Sequence, residues 1–231
     1  MKKHLKSIVL LMLLVMVVAS CTLDSALLEN ENVEGKSETN LSVATKGNAS
    51  VVTVILYAQQ DGRVYDIAPD NPAGYADYFA ADAWTWSSRP GKVRSLLQFN
   101  LSSIASNKTI TEAKLYLYSH PSIKHYSPSS TSTNAVHLYR VISPWSANTA
   151  CWNNQPSISS YHSVQVPAAQ YGYSSKNYVL DVTAMINDMY RYGNYGMMLK
   201  LDSENYYRRM YFASSECSQS SLRPRLVIKY K

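Results

Sequence analysis

The chain has 231 residues, 46% hydrophobic and 16% charged, which suits one or two domains and is too apolar for a wholly disordered polypeptide. Its formal charge is +6, but Lys2, Lys3 and Lys6 supply three of those charges at the extreme N-terminus, so charge alone gives no case for nucleic acid. The aromatic residues (19 Tyr, 4 Trp, 3 Phe) all lie beyond position 56, and the first quarter is therefore a different kind of segment. A multidomain enzyme, a coiled coil and a polytopic membrane protein all fit poorly.

Residues 1–20 read as a secretory signal: a basic start (KKHLK), an apolar run from Ile8 to Val18, then Ala19 and Ser20. That run is too short to span a bilayer comfortably. The junction VVASC resembles the lipobox of bacterial lipoproteins, which implies that Cys21 becomes the lipidated N-terminus. The resemblance places the protein in an exported, lipid-anchored cell envelope location, at the outer membrane or cell surface of a bacterium. Two or more acyl chains give stable anchoring where one gives marginal binding. Residues 21–50 carry Asp24, Glu29, Glu31, Glu34 and Glu38 and no aromatic residue, and read as a flexible acidic tether. Within it only LSVAT has the character to pack on the folded part.

Residues 51–231 read as one domain. Short runs of alternating apolar residues recur: VVTVILYA (51–58), VRSLLQFNL (93–101), EAKLYLYS (112–119), AVHLYRVI (135–142), SVQVP (163–167), NYVLDV (177–182), YGMMLKLD (195–202), RRMYFASS (208–215) and RPRLVIKY (223–230). Period-two strings rich in Val, Leu, Ile and Tyr predict half-buried antiparallel strands. One segment has helical spacing: Met185, Ile186, Met189 and Tyr190 share a face over about two turns, with Thr183 as cap and Gly193 as stop. The expected fold is all-β, a two-sheet antiparallel β-sandwich of jelly-roll type with one short helix. The connections 66–92 and 119–134 read as long loops, the first holding Tyr75, Tyr78, Trp84 and Trp86.

No catalytic word stands out. The acidic residues form no diagnostic pair, and neither a nucleophile elbow nor HExxH appears. Lys124, His125 and Tyr126 can be imagined as a lyase base with its neighbours, although a polar surface loop explains them as well. The positive case is aromatic and basic. Sugar rings present apolar C–H faces that stack on Trp and Tyr, while Arg bonds uronate carboxylates bidentately. The expected ligand-binding residues are Trp84, Trp86, Tyr78, Arg89, Arg94 and Tyr126, with Tyr206, Tyr207, Arg208 and Arg209 as a further basic-aromatic group. Trp145 and Trp152 read as structural. From Ser50 onward 17 basic and 11 acidic residues suit an acidic glycan modestly. Asp61, Asp66, Asp70 and Asn71 are candidates for a structural calcium. Cys151 and Cys217 remain after Cys21 and are candidates for a disulfide in an oxidising compartment, or for buried free thiols.

The order of several words resembles the DNRLRE-type, or disaggregatase-related, domain family. These are VRSLLQFNLSSI (93–104), ITEAKLYLYS (110–119), YRVISPWSANTACWNNQPS (139–157), LDVTAMINDM (180–189), NYG (194–196), SSE (214–216) and RPRLVIKY (223–230). The resemblance implies a jelly-roll sandwich similar to carbohydrate-binding modules attached to enzymes that degrade acidic glycans such as alginate. Asn100, Ala147, Asn148 and Cys151 depart from the family's usual Asp, acidic and Thr positions. The resulting expectation is a surface-anchored, non-catalytic carbohydrate-binding lipoprotein for an acidic or uronate-containing polysaccharide. The alternative is a structural or adhesive protein with an envelope protein partner, and less expected is a lyase or hydrolase.

Overall fold

The computed structural model describes residues 50–231 together with the strand β1 (Asn40–Ala44). The signal segment, Cys21 and most of the proposed tether lie outside the described residues. β1 falls inside the segment read as tether and pairs antiparallel with the next strand, from Asn40↔Ile55 to Ala44↔Val51.

Two antiparallel sheets share one long strand. β2 (Val51–Tyr65) alternates around buried Val54 and Leu56 in its first half. There it pairs with the last strand, β13 (Arg225–Tyr230), which pairs with β5 (Ile110–Leu117), which pairs with β10 (Tyr178–Asp181). A register shift between Ala58 and Gln60 then carries β2 into the second sheet, against β4 (Arg89–Phe99). An extra residue of this kind bends a strand and lets it turn a corner between layers. Beyond β4 the second sheet forks. Its first branch runs through β3 (Tyr78–Trp86), β12 (Arg208–Ala213), β6 (His125–Ser127) and β9 (Gly172–Ser174). Its second runs through β11 (Met197–Leu201), β7 (Val136–Val141) and β8 (Ile158–Val166). At the fork Ser95 Oγ accepts the Ala80 N–H at 2.8 Å and donates to the Ala80 carbonyl at 2.6 Å, satisfying backbone groups that the parting strands leave unpaired.

The main core joins Leu115, Leu117, Leu226 and Ile228 of the first sheet to Phe79, Leu97, Phe99, Leu138 and Phe212 of the second. The helix α1 (Thr183–Tyr192) adds Met185, Ile186 and Met189 to it, with Tyr190 packed alongside, as the spacing predicts. Its details differ from expectation. The helix has ten residues, and its N-cap is Val182 with no side-chain cap. The Thr183 hydroxyl instead accepts the Ala113 N–H of β5 at 2.9 Å, tying the helix to the sheet. Gly193 ends the helix at φ 114, a region open to glycine. A second, smaller core holds Val64, Leu96, Val141 and Met198 beneath Trp145 and Trp152. The all-β sandwich with a single α-helix among the described residues matches the sequence reading.

One sequence expectation is corrected. The segment 66–92 is not one long loop, because its second half is the β3–β4 hairpin, closed by Ser87 and Ser88 at φ 49 and 64. Two consecutive positive φ values match the twist of a two-residue hairpin turn, which serine adopts here without glycine. Trp84 and Trp86 are thus strand residues, as is Tyr78, and Tyr126 lies in β6. Of the two alternatives for Cys151 and Cys217, a disulfide or buried free thiols, the structure has the second. Cys151 sits in the turn where Asn154 Oδ1 accepts its N–H, and the Cys217 carbonyl accepts Arg223 Nε.

Candidate functional site

Strand register sets one row of side chains across the second sheet. Tyr65 faces Val93, Val93 faces Asp82, Asp82 faces Arg209, Arg209 faces Tyr126, and Tyr126 faces Tyr173. Directly opposed residues of antiparallel strands share a face, so these six come from five strands and β9 onto one surface. Trp84, two residues beyond Asp82, and Tyr211, two beyond Arg209, flank the row on the same side.

Arg209 is its centre. Its guanidinium carbon lies 4.8 Å from the Trp84 ring centroid, 5.3 Å from Tyr211 and 5.6 Å from Tyr173. Trp84 meets Tyr126 edge to face at 5.3 Å and Tyr207 at 4.9 Å. Tyr126 and Tyr173 are 4.7 Å apart, and Tyr173 is 63% exposed. A cation among aromatic faces is held by their quadrupoles, yet keeps its hydrogen-bonding capacity. Among the described residues Arg209 forms no ion pair, and its buried Nε has no partner.

The acid nearest in register does not neutralise it by direct bonding. Asp82 Oδ2 accepts the Tyr211 hydroxyl at 2.5 Å, while Oδ1 is buried without a partner. Burial raises the Asp82 carboxyl to about 6, against the opposing pull of Tyr211 and Arg209. Burial, then Asp82 itself, raises the Tyr211 phenol. The row continues past Tyr211 to Tyr78 at 5.1 Å and to Arg63, whose guanidinium lies 4.2 Å from Tyr78 and 5.2 Å from Tyr65.

The structure brings Trp84 and Tyr126 into contact and joins them to Tyr207 and Arg209. Tyr78 lies at the other end of β3, connected through Tyr211. Trp86 opposes Arg89 at the hairpin tip, and its ring covers Gly91, where a Cβ would fall 2.9 Å from it. Arg94 stands apart. It donates to both Glu204 oxygens at 2.7 and 2.9 Å and to Gln155, and it lies 4.4 Å from the Trp152 ring. Arg208 directs Nη1 to Ser203 Oγ and the Asn205 carbonyl, both at 3.1 Å, and is buried. The sequence reading missed Tyr173, because β9 is three residues long and its pairing to β6 leaves no periodic signal.

The imagined lyase base is a structural residue. His125 is buried, its Nδ1 accepts the Tyr211 N–H and its Nε2 bonds the Lys176 carbonyl. Burial lowers its pKa, keeping the ring neutral. The calcium candidates serve separate partners: Asp61 accepts Ser215 N–H, Asp66 accepts Lys92 N–H, and Asp70 accepts the Asn153 amide. Among the described residues no three His, Cys, Asp or Glu side chains converge as metal ligands. What the Arg209 surface offers chemically is a positive charge with free donors inside a ring of stacking faces. No curated protein matches the chain. The profile of one family does, carbohydrate-binding module family 96, over residues 52–230.

Proposed function

The chain belongs to carbohydrate-binding module family 96, and from that premise we propose that its Arg209 surface binds an acidic, uronate-containing polysaccharide without cleaving it. The observation that carries the reading is the unpaired Arg209 guanidinium set among Trp84, Tyr126, Tyr173 and Tyr207. A uronate carboxylate pairs with the guanidinium, and neighbouring sugar rings stack on the aromatic faces. Tyr78 and Trp86 extend the surface along β3, with Arg89 of β4 opposite Trp86, whereas Arg94 already carries its charge partner in Glu204. The resemblance to DNRLRE-type domains supports the same ligand class. The lipobox-like VVASC supports display on the bacterial surface through lipidated Cys21, with the acidic segment as spacer.

Retention in an alginate affinity gel tests the reading. Trp84→Ala and Arg209→Ala are expected to lose most retention with an unchanged far-UV spectrum. Unaltered migration of both variants removes this surface as the binding site. For the anchor, Cys21→Ser is expected to move the protein out of the detergent fraction, and persistence there contradicts lipidation.

A further inference from the structure

At the corner where β2 enters the second sheet lies a cavity of about 150 Å³ that the Arg209 surface does not use, lined by Gln59, Gln60, Asp61, Tyr75, Asn148 and Glu216. Close backbone packing builds its floor. A Cβ on Gly74 would lie 2.4 Å from the Ala147 carbonyl oxygen, and Gly62 packs against both Gly74 and Ala147. Gln60 braces the wall, with Oε1 accepting the Ala147 N–H at 3.0 Å and Nε2 donating to Gln98 at 2.5 Å. Tyr75 is 73% exposed, and its hydroxyl donates to Asn148 Oδ1 on the facing loop.

Carboxyl and amide groups line the cavity side by side. Asp61 is only 2% exposed; its Oδ2 accepts the Ser215 N–H at 2.7 Å, and its carboxyl also lies within hydrogen-bonding reach of the Ser215 and Glu216 side chains. Glu216, an exposed residue, accepts the Ser215 hydroxyl through Oε1 at 2.8 Å and shares a hydrogen bond with the Asp61 carboxyl. Asn148 keeps its amide donors, since Oδ1 is the atom that Tyr75 engages. Burial, opposed by the Ser215 N–H and hydroxyl and helped by the charge and hydrogen bond of Glu216, raises Asp61 to about 7, so near neutrality the Asp61–Glu216 pair both donates and accepts.

We infer that this cavity is a second carbohydrate subsite, one that takes a single uncharged sugar residue. Vicinal hydroxyls each donate and accept, which matches alternating carboxyl and amide groups. The exposed Tyr75 ring supplies a stacking face beside them. Two carboxyl groups disfavour a uronate here, the reverse of the preference at Arg209. The volume is well below the roughly 300–1,000 Å³ of pockets for drug-sized ligands, which limits it to one residue. A hard cation wants six to eight oxygens, and the Asn148 amide nitrogen is a poor member of such a shell.

Saturation-transfer NMR on the full-length chain, with methyl glycosides of glucose, galactose and mannose against sodium glucuronate, tests this inference. At least one neutral glycoside is expected to bind at millimolar concentration and, in the Arg209→Ala chain, more tightly than glucuronate. Tyr75→Ala and Glu216→Ala are each expected to weaken it about tenfold or more, while Arg209→Ala leaves it unchanged. Binding by none of the neutral glycosides overturns the inference, as does binding that survives both variants. Saturable heat from calcium chloride alone, removed by Glu216→Ala, overturns it in favour of a cation site. None of these outcomes bears on alginate retention at Arg209, so the two readings fail separately.

Discussion

Two arginines of the second sheet lie over tryptophan rings at nearly the same distance, Arg94 over Trp152 at 4.4 Å and Arg209 over Trp84 at 4.8 Å. Their surroundings differ in one respect. Arg94 is closed on its polar side by Glu204 and Gln155, and Trp152, with Trp145, caps the small core of Val64, Leu96, Val141 and Met198. The Trp145 indole N–H is also satisfied, by the Tyr195 carbonyl at 2.7 Å. Arg209 has no such carboxylate, and its ring neighbours lie against one another at an exposed edge. The same residue types therefore do different work: one pair spends its bonding capacity inside the fold, and the other keeps it for a ligand. Counting aromatic and basic residues cannot separate them, whereas asking where each donor goes can.

The largest expected effect contrasts the two tryptophans. Trp152→Ala removes the lid of the small core and is expected to cost about 3 kcal/mol, lowering the unfolding midpoint by roughly 5–10 °C. Trp84→Ala is expected to leave that midpoint within a few degrees while abolishing retention on alginate. Equal thermal losses would erase the distinction. Next come the charges. Glu204→Gln leaves the part-buried Arg94 without its bidentate partner and is expected to cost about 1–3 kcal/mol by denaturant titration, with alginate affinity intact. Arg209→Ala is expected to give the reverse pattern.

A smaller effect follows from Asp82. Burial pushes its carboxyl up to about 6 in the folded protein, against an ordinary value of 3.8, so the folded form binds the extra proton between those values. Its contribution to stability is thus greatest below about pH 4 and is lost as pH rises through 6, and Asp82→Asn is expected to flatten that slope. The neutral acid also leaves the Arg209 charge unopposed. Alginate is therefore expected to bind about two- to threefold more tightly at pH 5 than at pH 7.5, a difference that Asp82→Asn removes. The smallest effect is expected for Tyr173→Ala, a loss of about twofold at the rim. A loss there larger than at Trp84 would move the centre of the site toward β9.

Much of the fold was legible in the sequence because each half-buried strand shows its two faces. The alternation in β5, with Ala113, Leu115 and Leu117 inward, and the Met185–Ile186–Met189 face of α1 both survive intact. β3 was hidden for a physical reason. Phe79 to Ala83 are all buried, since Ala80 and Asp82 are covered by Ser95 and Tyr211 as fully as their neighbours are by the core, so no alternation appears. Its hairpin turn also carries serines where glycine or asparagine would have marked it. Trp84 and Tyr126 were legible as candidates by residue type alone. That Arg209 lies between them while Arg94 does not depends on cross-strand register and on Glu204, 110 positions from Arg94, and neither leaves a local trace.

The most direct test of the central claim is the affinity of the full-length Arg209→Ala chain for alginate, measured by isothermal titration beside its thermal unfolding midpoint. At least tenfold weaker binding, about 1.4 kcal/mol, with an unchanged midpoint is the expected result. Native affinity in that variant would contradict the account.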